Sequence, residues 1–224
     1  MKLYFHPAST TSRIVQMFAL DHGIELDYQV VDLFTGEHMQ PAFTQVNPNQ
    51  LVPVLEDGDF RLTESAAIVR YLADRAGSAA YPRDLKERAR VNEMIDWFNS
   101  NFYKDSAYGL IYPQAFPSHK RPNDALQAGT LEWGKQKTQN WLKILDQSLL
   151  GPGKAYLCGG SITLADYMGA EMIALGELIG CKYDAYPNIT RWLGNMKARK
   201  PWAQVHEAID GFAASLKDAK FVAI

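Results

Sequence analysis

The sequence predicts an α/β N-terminal domain followed by an all-α C-terminal domain, and three observations carry that prediction. Apolar residues up to Gly77 switch repeatedly between a two-residue and a 3.6-residue period, whereas from Arg83 onward the period is helical throughout. An Asp57-Gly58 turn lies between two short β-rich runs, the mark of a hairpin. A chain of 224 residues, 47% of them apolar, is long enough to bury the cores of two small domains. The change of period places the boundary near residues 77–86, between units spanning 1–80 and 87–224.

Residues 2–6 alternate and stop at Pro7, which makes a first strand. Ser9, Thr10, Thr11 and Ser12 then offer candidate caps before Ile14, Val15, Phe18 and Ala19 fall at helical spacing, with Gly23 as the stop. Leu26, Tyr28 and Val30 alternate with polar neighbours, so a second strand joins the first in a βαβ unit. Residues 35–49, with Gly36, Pro41 and Pro48, read as an irregular rim holding a short helical piece. Residues 51–56 and 60–62 are the hairpin strands. Pro53 has no N–H for a ladder and belongs at a strand's first position or edge. Thr63-Glu64-Ser65 opens a helix with an apolar face from Ala66 to Leu72.

In the second half, residues 83–112 have few breakers and carry Val91, Met94, Ile95, Phe98 and Phe102 at spacings of three and four, which predicts one long helix. The tract 112–122 contains Pro113, Pro117 and Pro122 and is expected to interrupt it. A second long helix over 123–149 ends at Gly151-Pro152-Gly153. Thr163 and Asp166 form a capping box, with Ile162 and Tyr167 placed as its hydrophobic staple. The helix that follows has little polar face before Gly180, so it is expected at the centre of the domain's core. Residues 189–199 and 201–216 supply two further helices.

Lys and Arg total 23 against 25 Asp and Glu, a formal charge of −2 with no long run of either sign, so no nucleic-acid partner is expected. No segment approaches the ~18 apolar residues of a membrane span, and the apolar stretch before His6 and Pro7 is too short for a signal peptide. The expected location is cytoplasmic, away from membranes. Only Cys158 and Cys181 are present, neither in a Cys-x-x-Cys pair. Neither a disulfide framework nor a metal site is therefore expected, and both cysteines read as small buried hydrophobes.

Four segments in a fixed order carry a family resemblance. They are Ser9-Thr10-Thr11-Ser12-Arg13 after the first strand, residues 47–55 around Val52-Pro53, residues 62–72 around Glu64-Ser65, and residues 159–166 ending at Asp166. With the hairpin between the second and third, and the helical half around the fourth, the chain resembles the cytosolic glutathione transferases along essentially its whole length. The Ser9 region is similar to the serine-using theta and delta subclasses. The resemblance implies a thioredoxin-like N-terminal domain that binds glutathione as substrate, an all-helical C-terminal domain that binds a hydrophobic electrophile, and a C₂ homodimer.

A cysteine thiol ionises near 8.5, so a transferase must favour the thiolate at neutral pH. A hydroxyl cannot take that proton efficiently; on the family resemblance Ser9 is a hydrogen-bond donor to the thiolate, aided by the N–H groups and dipole of the helix it opens. A hundredfold gain in thiolate requires ~2.7 kcal/mol, within reach of one charge-assisted hydrogen bond and a helix end together. From spacing alone Ser9 is an ordinary N-cap; Thr10, Thr11 and Ser12 remain alternative hydroxyls, and Tyr4 lies inside the strand. Arg13 either reinforces the field or braces the turn.

The resemblance also implies that Glu64 faces the γ-glutamyl ammonium and Ser65 receives the adjacent carboxylate at a helix start. It assigns the cysteinyl pairing to the backbone of Val52, with Pro53 cis, and makes His38 and Gln50 candidates for the glycyl carboxylate. Tyr103, Tyr108, Tyr112 and Phe116 are candidates for the electrophile pocket, with Tyr108 or Tyr112 facing it. Asp96 or Asp105 would reach the ammonium across a dimer axis, and each otherwise reads as surface charge on a helix. Two rival functions are a glutathione-dependent peroxidase or disulfide reductase, and a non-catalytic binding protein on the same fold. The absence of cysteine from residues 1–157 argues against a mixed-disulfide mechanism at the N-terminal turn.

Overall fold

Strand β1 (Lys2–Phe5) is central in a four-stranded sheet of order β2-β1-β3-β4, in a computed structural model that describes residues 1–224. It pairs in parallel with β2 (Asp27–Val30) and antiparallel with β3 (Val54–Asp57), which forms the hairpin with β4 (Phe60–Thr63). Alternation in β1 sends Leu3 and Phe5 into the main core and Tyr4 to the opposite face, edge-on to Phe43. Helices α1 (Thr10–Asp21) and α3 (Ser65–Ala76) pack together. The short α2 (Pro41–Thr44) brings Phe43 into a small second cluster with Val31, Val52 and Val54. Strand β3 begins at Val54, not at residue 51; residues 51–53 stay outside the ladder, as the missing Pro53 N–H requires.

From α4 (Leu85–Trp97) the chain is helical. Its course continues through wide turns over Phe98–Tyr103 and Ala107–Ile111 into Tyr112–Ala115. The helix ends within the tract 112–122, as expected, but it carries Pro113 before it does so. The wide turn just before it loosens the i−4 geometry with which a proline ring would clash. The break falls at Phe116, which is extended at φ −125° and ψ 119°.

Helix α5 (Asp124–Ile144) starts on Asn123, whose side chain accepts the Leu126 N–H, and runs through another wide turn to Gly151 at φ +62°. Every residue of α6 (Leu164–Ala174) is buried. Its capping box is formed: the Thr163 N–H and hydroxyl donate to Asp166 Oδ2 at 2.8 and 2.9 Å, while Asp166 Oδ1 accepts the Leu157 N–H and Trp192 Nε1–H at 2.8 and 2.9 Å. Helices α7 (Pro187–Lys197) and α8 (Trp202–Ser215) complete the domain.

One core of 47 buried residues runs through both halves, because α1 lies directly on α6. Phe18 meets Tyr167 edge-on at 5.4 Å, the Tyr167 hydroxyl donates to Asp21, and Arg199 Nε donates to the same carboxylate at 2.9 Å. Cys181 is buried and Cys158 half-buried, and burial pushes both thiols up. No helix is long and apolar enough to cross a membrane.

Candidate active site

Sheet register gathers four segments at one edge. Phe5 lies beside Val30, Tyr4 opposite Val54, and Val54 opposite Thr63, so the carboxyl ends of β1, β2 and β4 and the amino end of β3 share that edge. The Ser9 turn, the rim carrying His38, the Val52-Pro53 segment and the Glu64-Ser65 helix start all leave from it.

Ser9 is the N-cap of α1 at φ −74° and ψ 121°, and its Oγ accepts the Ser12 N–H at 3.3 Å. That oxygen also lies 3.2 Å from Thr11 Oγ1, and the Thr11 hydroxyl donates to the Val52 carbonyl at 3.1 Å. A hydroxyl has one proton to give, so with the Thr11 proton committed to Val52, Ser9 is the donor of the Ser9–Thr11 pair. Ser9 and Thr11 are half-buried, whereas Thr10 and Ser12 are buried. Ser12 Oγ accepts the His6 N–H, and the Thr10 hydroxyl faces Tyr112.

The Val52-Pro53 bond is cis, and the Val52 N–H has no acceptor within the protein. Glu64 is exposed and holds φ +68° with ψ 114°, a conformation that costs a side-chain-bearing residue ~1–3 kcal/mol and concentrates at functional sites. Gln50, also exposed, has φ +58°. Ser65 is buried at the first turn of α3, where N–H groups lack intrahelical partners. His38 is half-buried, with its Nδ1 enclosed and unpartnered.

The aromatic candidates form one group. Tyr108 meets Tyr112 edge-on at 5.0 Å, Tyr112 meets Phe116 at 5.4 Å, and the Tyr103 hydroxyl contacts that of Tyr112. Burial raises the pKa of both Tyr103 and Tyr112, so both are protonated donors at neutral pH. The wall extends to residues that sequence reasoning missed. Phe212 of α8 stacks on Phe116 at 5.5 Å and lies 5.5 Å from Phe34, which stands edge-on to His6 at 5.1 Å. Phe212 falls at helical spacing and reads as core, and Phe34 lies in a loop; neither pattern signals a shared wall. Burial holds the His6 imidazole below its ordinary value.

Asp105 is not a surface charge on a helix: it is 4% exposed, and its Oδ2 accepts the Trp141 Nε1–H at 2.8 Å. Asp96 is exposed and pairs with Arg70 at 3.4 Å. Arg13 is 1% exposed and reaches both the Ala8 carbonyl and Glu171. Two other clefts, of about 280 and 480 Å³, lie at the linker around Gly77 and beside Cys181, and share no residue with this edge. No group of three or more His, Cys, Asp or Glu side chains is placed to hold a metal ion.

Residues 1–74 match the family model for the glutathione S-transferase N-terminal domain, and residues 113–200 match that for the C-terminal domain. The chain is 32% identical to human glutathione S-transferase theta-1 over 93% of its own length and 88% of that protein's. Its fold is similar to a Nilaparvata lugens delta-class glutathione transferase, with TM-score 0.83, 32% identity and coverage of 96% of this chain and 98% of that one. It is also similar to human glutathione transferase theta-2, solved in complex with glutathione and an unknown ligand, with TM-score 0.81, 27% identity and coverage of 100% and 93%. With both halves matched in order and the fold shared along the whole length, the chain belongs to the glutathione S-transferase family, alongside its theta and delta classes.

Proposed function

We propose that this glutathione transferase activates the thiol of glutathione through Ser9 Oγ. One observation carries the proposal: the acceptor side of Ser9 is occupied by the Ser12 N–H, while its proton is held only by the neighbouring Thr11 oxygen. A thiolate arriving at the start of α1 is a stronger acceptor than that oxygen and takes the proton's hydrogen bond. The thiol proton leaves to solvent, and the sulfur lone pair forms a C–S bond as the electrophile's leaving group departs or its strained ring opens.

The remaining roles follow the chemistry of glutathione. Glu64 takes the γ-glutamyl ammonium, and Ser65 with the α3 N-terminus takes the neighbouring carboxylate. The Val52 backbone pairs with the cysteinyl part, and His38 and Gln50 take the glycyl end. Tyr108, Tyr112 and Phe116 line the electrophile pocket. The N-terminal unit, residues 1–80, binds glutathione, and residues 87–224 carry the electrophile pocket. The enzyme works as a homodimer in the cytoplasm on small-molecule substrates.

Ultraviolet titration of the bound glutathione thiolate tests the assignment in the parent and Ser9→Ala proteins. A thiol pKa depressed in the parent and restored to that of free glutathione in Ser9→Ala, with glutathione still bound, supports it. Depression that survives Ser9→Ala moves the role to Thr11 or another hydroxyl.

A further inference from the structure

A buried ion pair joins the two domains next to the Ser9 turn. Arg13 Nε donates to Glu171 Oε2 at 2.9 Å, across 158 positions of sequence, and Arg13 Nη1 donates to the Ala8 carbonyl at 2.8 Å. Glu171 is 0% exposed. His206 closes the group from α8, with Nε2 3.2 Å from Glu171 Oε2 and Nδ1 3.0 Å from the Trp202 carbonyl. Its ring stacks on Trp202 at 3.8 Å.

The Ala8 carbonyl belongs to the peptide plane that leads into Ser9. That plane is held on its other side by the Ser9 N–H, which donates to the His6 carbonyl at 2.9 Å, and the preceding plane is held by the Ala8 N–H, which donates to His6 Nδ1 at 3.2 Å. The guanidinium fork thus spans from a fixed carboxylate in the helical domain to the backbone that aims the Ser9 hydroxyl. Burial acts to raise Glu171, but Arg13 and His206 together hold it below the usual carboxylate range, so it is charged. A full negative charge in contact with the guanidinium cancels most of the field that Arg13 would otherwise project toward a thiolate.

We propose that Arg13 and Glu171 are positioning residues: the helical domain sets the aim of the thiol-activating hydroxyl through a two-pronged guanidinium whose charge is neutralised, and the pair does not act as a source of positive field. This rests on Ser9 as the activating donor.

Two substitutions separate position from field, because the two accounts predict opposite patterns. Arg13→Lys keeps the charge but replaces the planar fork with a point ammonium that cannot serve both acceptors in the same geometry. Glu171→Gln keeps an oxygen for the Nε–H but removes the neutralising charge. The positioning account expects Arg13→Lys to lose about tenfold in kcat/KM and to return the bound thiol pKa toward that of free glutathione, with glutathione affinity held within about threefold. It expects Glu171→Gln to keep the parent thiol pKa.

The measurement is ultraviolet titration of bound glutathione, with Tm and glutathione affinity recorded for each variant. An unchanged thiol pKa in Arg13→Lys, or a lowered one in Glu171→Gln, overturns the proposal in favour of the field. A purely structural pair would lower Tm and leave the thiol pKa in place in both, which also overturns it. Should one variant not fold, the other decides, since the positioning and field accounts differ on each. Ser9→Ala in the same series keeps the two readings apart: if it leaves the thiol pKa depressed, the Ser9 assignment fails; if it restores the pKa while Arg13→Lys does not, only the positioning proposal fails.

Discussion

Thr11 Oγ1 stands 3.1 Å from the Val52 carbonyl oxygen, tying the first turn of α1 to a segment 41 residues away. This hydrogen bond fixes the spacing between the turn that carries Ser9 and the backbone proposed to pair with the cysteinyl part of glutathione. Thr11→Val is close to isosteric and removes the tie together with the oxygen that accepts the Ser9 hydroxyl, which a bound thiolate would replace as acceptor. Loss of one hydrogen bond of about 1 kcal/mol is expected to raise KM for glutathione about fivefold, with kcat changed less. Steady-state kinetics with varied glutathione checks it, and a fall confined to kcat would place Thr11 in activation instead of binding.

Glu64 is exposed, takes no side-chain hydrogen bond and holds a positive φ, a combination that serves a ligand better than it serves the fold. Glu64→Gln keeps the shape and removes the charge. Glutathione affinity is expected to fall by roughly tenfold or more, while Tm and the pKa of the bound thiol stay at the parent values. Calorimetric binding together with the thiolate titration reads both. A thiol pKa that moves with affinity would show that Glu64 acts on the sulfur.

Asp166 accepts four hydrogen bonds, from the Leu157 and Thr163 N–H groups, the Thr163 hydroxyl and Trp192 Nε1–H, inside a fully buried site. Asp166→Ala leaves those donors without an acceptor. The expected loss is more than about 3 kcal/mol, read as a lower urea midpoint. Asp166→Asn, which retains part of the acceptor set, should lose less.

Tyr103, Tyr112, Tyr167 and Tyr183 are all held above the ordinary tyrosine value of 10.0, in each case chiefly by burial. Below that value both the folded and unfolded chains keep these protons. Above it the unfolded chain loses them first, so the folded state binds more protons and stability falls as pH rises. Each retained proton contributes a slope of about 1.4 kcal/mol per pH unit. Urea unfolding should therefore show little tyrosine-dependent change from pH 7 to 9 and a steep decline above pH ~10. In Tyr183→Phe the lost bond to the Ile173 carbonyl lowers stability at pH 7, and the alkaline decline becomes shallower by one proton.

Much of the fold was legible in sequence because it rests on short-range rules. The Asp57-Gly58 turn, the Thr163–Asp166 capping box and the apolar run of α6 each depend on residues within one or two turns of each other. The order of hydroxyl turn, Val52-Pro53, Glu64-Ser65 and capping box was sufficient to suggest the family. The proline tract 112–122 does end the long helix, but the exact point, Phe116 and not Pro113, was not legible, because a proline rule presumes regular α geometry and the wide turn at Ala107–Ile111 is invisible to periodicity.

What needed the folded chain are contacts between segments far apart in sequence. Ser9, Thr10, Thr11 and Ser12 are equivalent hydroxyls on paper, and only folding buries Thr10 and Ser12 and commits the Thr11 proton to Val52. Arg13 reads as a polar residue on a helix start until α6 brings Glu171 beneath it. Asp105 reads as exposed until α5 brings up Trp141, and Phe34, Phe116 and Phe212 become one wall only when loop, helix end and α8 converge. Periodicity tells which face of an element is buried, but the partner that face meets, and hence the donor, the brace and the wall, is set by tertiary packing.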